Sequence, residues 1–74
     1  MQLFIKTIDG KTLLIETQKD STVLEFKQDI YRQYNFPIDK QTIVVCGKKV
    51  EDEVKLSSFS PQTLAVINIL LNKD

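Results

Sequence analysis

The chain has 74 residues, 42% of them apolar, which is enough for one small domain with a core and too few for two. Ten basic and ten acidic residues cancel, so no bulk charge draws the chain to nucleic acid or to an anionic membrane. One cysteine, Cys46, excludes an internal disulfide, and no apolar run approaches the roughly 20 residues that span a bilayer.

Residues 1–17 read as a β-hairpin. Met1, Leu3 and Ile5 alternate with Gln2, Phe4 and Lys6; Leu13, Ile15 and Thr17 alternate with Thr12, Leu14 and Glu16. Such alternation marks half-buried antiparallel strands. Asp9-Gly10 between them supplies the left-handed position of a tight turn with a bulge. The strand pattern begins at Met1, which leaves no room for a signal or transit peptide; a cytosolic or nuclear protein is expected.

Gln18 to Ser21 is a polar connection, and Thr22-Val23-Leu24-Glu25 has the form of a helix capping box. Val23, Phe26 and Ile30 follow at helical spacing, with Lys27, Asp29, Arg32 and Gln33 placed on the polar side. The helix should end near Tyr34-Asn35, since Asn tolerates the left-handed cap and Pro37 lies just beyond. Thr42 to Val45 is a β-branched strand, ended by a turn at Cys46-Gly47-Lys48, and Val50 is expected to begin a brief return strand. Lys55 to Ser60 reads as irregular, anchored by Leu56 and Phe59; Val66 to Leu71 is the last strand. The pattern predicts one α+β domain over residues 1–74, with one helix packed across a sheet. Its predicted core is Leu3, Ile5, Leu13, Ile15, Val23, Phe26, Ile30, Ile43, Val50, Leu56, Ile67 and Ile69.

The string MQLFIKTIDGKTLLIET closely resembles the opening of the ubiquitin family, and the similarity runs without a gap to about Asn72. It includes Thr22, Lys27, Ile30, Pro37, Asp39, Gln41, Gly47-Lys48, Glu51-Asp52, Leu56-Ser57 and Gln62. The resemblance implies the ubiquitin-like β-grasp fold, a mixed sheet packed on one helix. It also implies a partly buried ion pair between Lys27 and Asp52. Some positions depart from the family pattern. Asn72 and Thr42 stand where activating enzymes meet arginines, and Asp74 reverses a charge in place of the Gly-Gly tail. Conjugation is therefore not expected unless the chain continues into Gly-Gly. Asn35 and Glu53 replace glycines, and Pro61 takes a usually aliphatic position, which is expected to remodel the loop before the last strand.

Three apolar residues are placed outward by the pattern. Ile8 sits in the hairpin loop, Val44 alternates with Ile43, and Leu70 shares its parity with the polar Asn68. The resemblance makes these the family's main recognition surface, where a receptor helix lays aliphatic side chains against the strip. By the same resemblance Gly47 allows close approach, Asn68 replaces a titratable contact, and Lys6, Lys48 and Lys49 form a basic rim. The plainer alternative is scattered surface aliphatics, which are common on small proteins. Phe4 and Leu14, facing each other if Leu3 pairs with Ile15, are either a cross-strand pair or a second binding patch. Cys46 has no histidine in the chain to act as its base, the acidic residues lack ligand spacing, and two isolated glycines cannot build a phosphate loop. No enzymatic activity, metal or cofactor is expected.

The resulting expectation is a monomeric, non-covalent ubiquitin-like interaction domain, the N-terminal module of a longer protein. Its expected partners are ubiquitin-binding helices and proteasomal ubiquitin receptors, with neither nucleic acid nor membrane among them. The alternatives are a modifier whose conjugating tail lies beyond this chain, and a scaffold that uses the fold without the patch.

Overall fold

The computed structural model describes residues 1–65 and 67–71, with the backbone alone of Pro61. Five strands, β1 (Gln2–Thr7), β2 (Thr12–Glu16), β3 (Gln41–Val45), β4 (Lys48–Lys49) and β5 (Ile67–Leu71), form one sheet in the order β2-β1-β5-β3-β4. β1 and β5 are parallel and the other neighbours antiparallel. Helix α1 (Val23–Tyr34) packs on one face, and a one-turn helix α2 (Pro61–Leu64) precedes β5. This is the α+β domain that the pattern predicts, in the β-grasp arrangement that the resemblance implies.

The first hairpin closes as Asp9-Gly10 implies. Gly10 has φ +89°, its N–H donates to the Thr7 carbonyl (3.1 Å), and the Thr7 N–H donates to the Lys11 carbonyl (2.9 Å). The register pairs Leu3 with Ile15 and Phe4 with Leu14, so one parity goes inward. Leu3, Ile5, Ile15 and Thr17 are buried; Leu13, near the turn, is half-buried.

Helix α1 begins at the capping box. The Glu25 N–H donates to Thr22 Oγ1 (3.2 Å), and the Thr22 N–H donates to the Glu25 carboxylate (2.9 Å). The next two free donors, on Val23 and Leu24, reach the carbonyls of Val54 (2.8 Å) and Asp52 (3.0 Å). A neighbouring loop thus completes the cap that side chains begin. Asn35 ends the helix at φ +63°, as expected of a left-handed cap.

The apolar stripe Val23, Phe26 and Ile30 is fully buried against the inner face of the sheet, and Val50, Leu56 and Leu64 close the core. The predicted core is found there except for half-buried Leu13; Val45 and Leu64 belong to it as well. The polar side of the helix is narrower than predicted. Lys27 is buried and Asp29 is largely covered, because each meets a partner outside the helix. Lys27 Nζ donates to the Asp52 carboxylate (2.7 Å), and Asp29 accepts from the Thr17 hydroxyl (2.7 Å) and from Arg32.

Three segments differ from expectation. Val50 does not begin a strand: β4 is Lys48–Lys49, and Val50 turns into the core with its N–H on the Ile43 carbonyl (3.0 Å). Lys55 to Ser60 is not irregular throughout, since Leu56–Ser58 forms a 3-10 turn that buries Leu56. Pro61 opens α2 at its first position, where a missing N–H costs no intrahelical bond, with Ser60 Oγ accepting from the Thr63 N–H (3.2 Å). Glu53 sits in a turn closed by the Val54 N–H on the Glu51 carbonyl (3.2 Å), without positive φ. β5 starts at Ile67; Val66 lies outside the described residues, as do Asn72 and Asp74.

Candidate interaction surface

Strand pairing assembles the outward residues into rows. Lys6 on β1 faces Asn68 on β5, Asn68 faces Val44 on β3, and Val44 faces Lys49 on β4. Cross-strand partners project from the same face. Lys6, Asn68, Val44 and Lys49 therefore form one continuous row over four strands. Leu70 lies two residues further along β5, opposite Thr42. Thr7 faces Ile69, so the chain leaving β1 carries Ile8 towards the Leu70 end of the row. Ile8 is 82% and Leu70 38% exposed; Val44, flanked by strands on both sides, is half-buried.

The loop that presents Ile8 is fixed by short polar contacts. The Thr7 hydroxyl donates to Asp9, the Lys11 N–H donates to Thr7 Oγ1 (3.1 Å), and Lys11 Nζ stands 3.9 Å from Asp9. The Thr7 bond holds the Asp9 carboxyl below its ordinary value; the Lys11 charge adds to this and desolvation works against it. In the turn that joins β3 to β4, Cys46 and Gly47 have φ +53° and +80° between the paired residues Val45 and Lys48. A two-residue hairpin loop whose centre is positive at both positions matches strand twist. Gly47 fits the second of them for its backbone freedom and not for lack of room, because an added Cβ would have nothing within 4 Å.

Three candidate residues sit differently from expectation. Lys48 faces Val45, not Val44, so it flanks the strip at the sheet edge while Lys49 shares the row. Phe4 and Leu14 do face each other, 62% and 40% exposed, but not on a separate region. Phe4 shares the parity of Lys6, so the pair continues the same outer face beyond Lys6 and Thr12. Thr42 and Thr12 also belong to this face and were legible only through parity.

Lys27 and Asp52 make the implied ion pair, with side chains 10% and 50% exposed, and it ties α1 to the loop before the 3-10 turn. Cys46 is a free, exposed thiol. Among the described residues no three His, Cys, Asp or Glu side chains converge to hold a metal ion, and no helix is long and apolar enough to cross a membrane.

Comparison with known proteins agrees with this architecture. Ubiquitin-like protein 4A of Xenopus laevis is 30% identical over 71 residues, covering 96% of this chain and 48% of the relative. The proteins of the same name from Anoplopoma fimbria and Homo sapiens are 28% and 27% identical over the same length, covering 46% and 45% of those relatives. The chain spans about half the length of the curated relatives it matches. The sequence model of the Ubiquitin family matches residues 3–74, and with that match the chain belongs to the ubiquitin family.

Proposed function

We propose that the chain is a non-covalent protein-interaction domain, the N-terminal module of a longer protein, which docks its carrier onto ubiquitin-binding helices or proteasomal ubiquitin receptors in the cytosol or nucleus. Ubiquitin-like β-grasp domains are non-catalytic, so the activity is recognition. The observation that carries the reading is the outward strip: Ile8, Val44 and Leu70 around Asn68, with Lys6 and Lys49 at the ends of the row and Lys48 on the flank. An amphipathic helix needs a shallow apolar strip with a polar rim, and cationic rims select helices whose flanks are acidic. The module reading is supported by relatives about twice the length of this chain.

The test is titration of a 15N-labelled domain with a ubiquitin-interacting helix. Shifts should centre on Ile8, Val44, Asn68 and Leu70. Shifts confined to Phe4 and Leu14 would move the site along the face, and no binding to any such helix would sink the proposal.

A further inference from the structure

The two edges of the sheet are protected in different ways. β4 is two residues long and both are lysines, a short charged edge that offers little to an incoming strand. β2 is five residues, Thr12-Leu13-Leu14-Ile15-Glu16, with neither proline nor lysine to discourage pairing. Its outward backbone groups are instead occupied by side chains from the end of α1. The Leu14 N–H donates to Tyr34 Oη (3.2 Å), and that hydroxyl donates to the Leu14 carbonyl (3.0 Å). The Glu16 N–H donates to Gln33 Oε1 (3.1 Å), and Gln33 Nε2 donates to the Glu16 carbonyl (2.9 Å). Two adjacent residues thus satisfy four groups that a neighbouring strand would otherwise bind. Tyr34 is held in place by stacking on Phe36, ring centroids 6.0 Å apart.

We infer that Tyr34 and Gln33 form a latch over the β2 edge, and that the strand beneath it is a pairing site for a second copy of this chain, closed while the latch is seated. The occupant follows from the strand itself. Antiparallel pairing of β2 with β2 about Leu14 places Leu14 opposite Leu14 and Thr12 opposite Glu16, so no like charges meet. In that register the outward groups of Leu14 and Glu16, those the latch holds, exchange hydrogen bonds with the second copy. The two-fold would also join the exposed Phe4–Leu14 pairs of both copies into one apolar surface. A net charge of zero sets up no long-range repulsion between copies.

The latch is opened with Tyr34→Phe, which keeps the stacking and removes both Leu14 bonds, and with Gln33→Ala in the same chain. Tyr34→Phe alone should speed amide exchange at Leu14 roughly fivefold to tenfold while leaving Ile5 and Ile43 unchanged. The double variant should show a concentration-dependent dimer in sedimentation equilibrium, and adding Leu14→Lys, which opposes two charges on the two-fold, should return it to monomer. If the double variant fails to fold, Tyr34→Phe with Gln33→Ser, whose shorter polar side chain no longer reaches Glu16, takes its place in both measurements. Unchanged exchange at Leu14 would overturn the latch. A folded, latch-free variant that stays monomeric at the highest soluble concentration would overturn the pairing site.

Discussion

Two neighbouring rows of the sheet, one residue apart in register, lead opposite lives. The inner row runs Leu13, Ile5, Ile67, Val45 and Lys48; the outer row runs Thr12, Lys6, Asn68, Val44 and Lys49. Ile5, Ile67 and Val45 are buried under α1, whereas only Val44 in the outer row is even half-covered. The strands supply both rows from alternate positions, so a single sequence writes a core on one face and the strip proposed for recognition on the other. The difference separates two kinds of free energy, folding on the inside and, under the proposed function, binding on the outside.

The largest expected effect breaks the inner row. Ile5→Ala should destabilise the fold by about 2–5 kcal/mol through lost burial and a residual cavity, a large part of a small domain's stability. Urea denaturation measures it, and the fraction still folded should bind its receptor helix with unchanged affinity. The outer-row counterpart Asn68→Ala should change stability by no more than about 0.5 kcal/mol. Equal losses at the two positions would erase the distinction between the faces.

Next in size is the outer strip itself. Leu70→Ala should weaken receptor binding by about 1–2 kcal/mol, since interfaces concentrate their energy in a few central apolar contacts. Calorimetric titration reads the loss, with unfolding measured in parallel. Val44→Ala should cost similar binding together with some stability, because Val44 is half-buried and Leu70 is more exposed. Phe4→Ala should cost less than either, as Lys6 and Thr12 separate it from the strip.

Local rules made much of this legible. The Thr22–Glu25 box, the left-handed Asn35 and the two-residue period of the first hairpin are set by neighbours in sequence, and the structure has them as predicted. Features that depend on distant segments were less readable. Helical period alone makes Lys27 a polar-face residue; its pairing with Asp52, 25 positions away, was legible only through the family resemblance. The positive φ of Cys46 runs against its residue type and follows from closing β3 onto β4 in two residues. At the candidate site, parity indicated which residues face outward, but that Lys6 and Lys49 share one row depends on the parallel β1–β5 pairing and the β3–β4 register. The same register separates Lys48 from Lys49, which composition alone treats as equivalent.

That separation can be sharpened by charge reversal. Lys49→Glu should slow association with an acidic-flanked helix several-fold more than Lys48→Glu, because Lys49 shares a row with Val44 while Lys48 stands opposite Val45. The gap should shrink as salt is raised, since exposed charges are screened within about 8–10 Å near physiological ionic strength. Stopped-flow association at two salt concentrations measures it. Equal effects would mean that the rim acts as a diffuse field and not through the row.

The smallest effect concerns the turn that holds Ile8, where a titratable group supports the outer face. Asp9 is lowered from the model-compound value of 3.8, first by the Thr7 hydroxyl bond and then, against desolvation, by backbone bonds and the Lys11 charge. A carboxyl lowered by folding favours its charged form in the native state. Its contribution is therefore fully present above the unfolded value of 3.8 and is lost as pH falls through the lower folded value. Neutral pH lies well above that window, so no change is expected there. On acidification the Thr7 and Gly10 amide shifts should titrate together with a midpoint below 3.8, and Asp9→Asn should abolish that transition. Because the carboxylate is exposed and the loop is also closed by backbone bonds, receptor affinity in this window should change less than it does in Leu70→Ala. A midpoint above 3.8 would mean that the Thr7–Asp9 bond does not form in solution, and that the backbone turn alone presents Ile8.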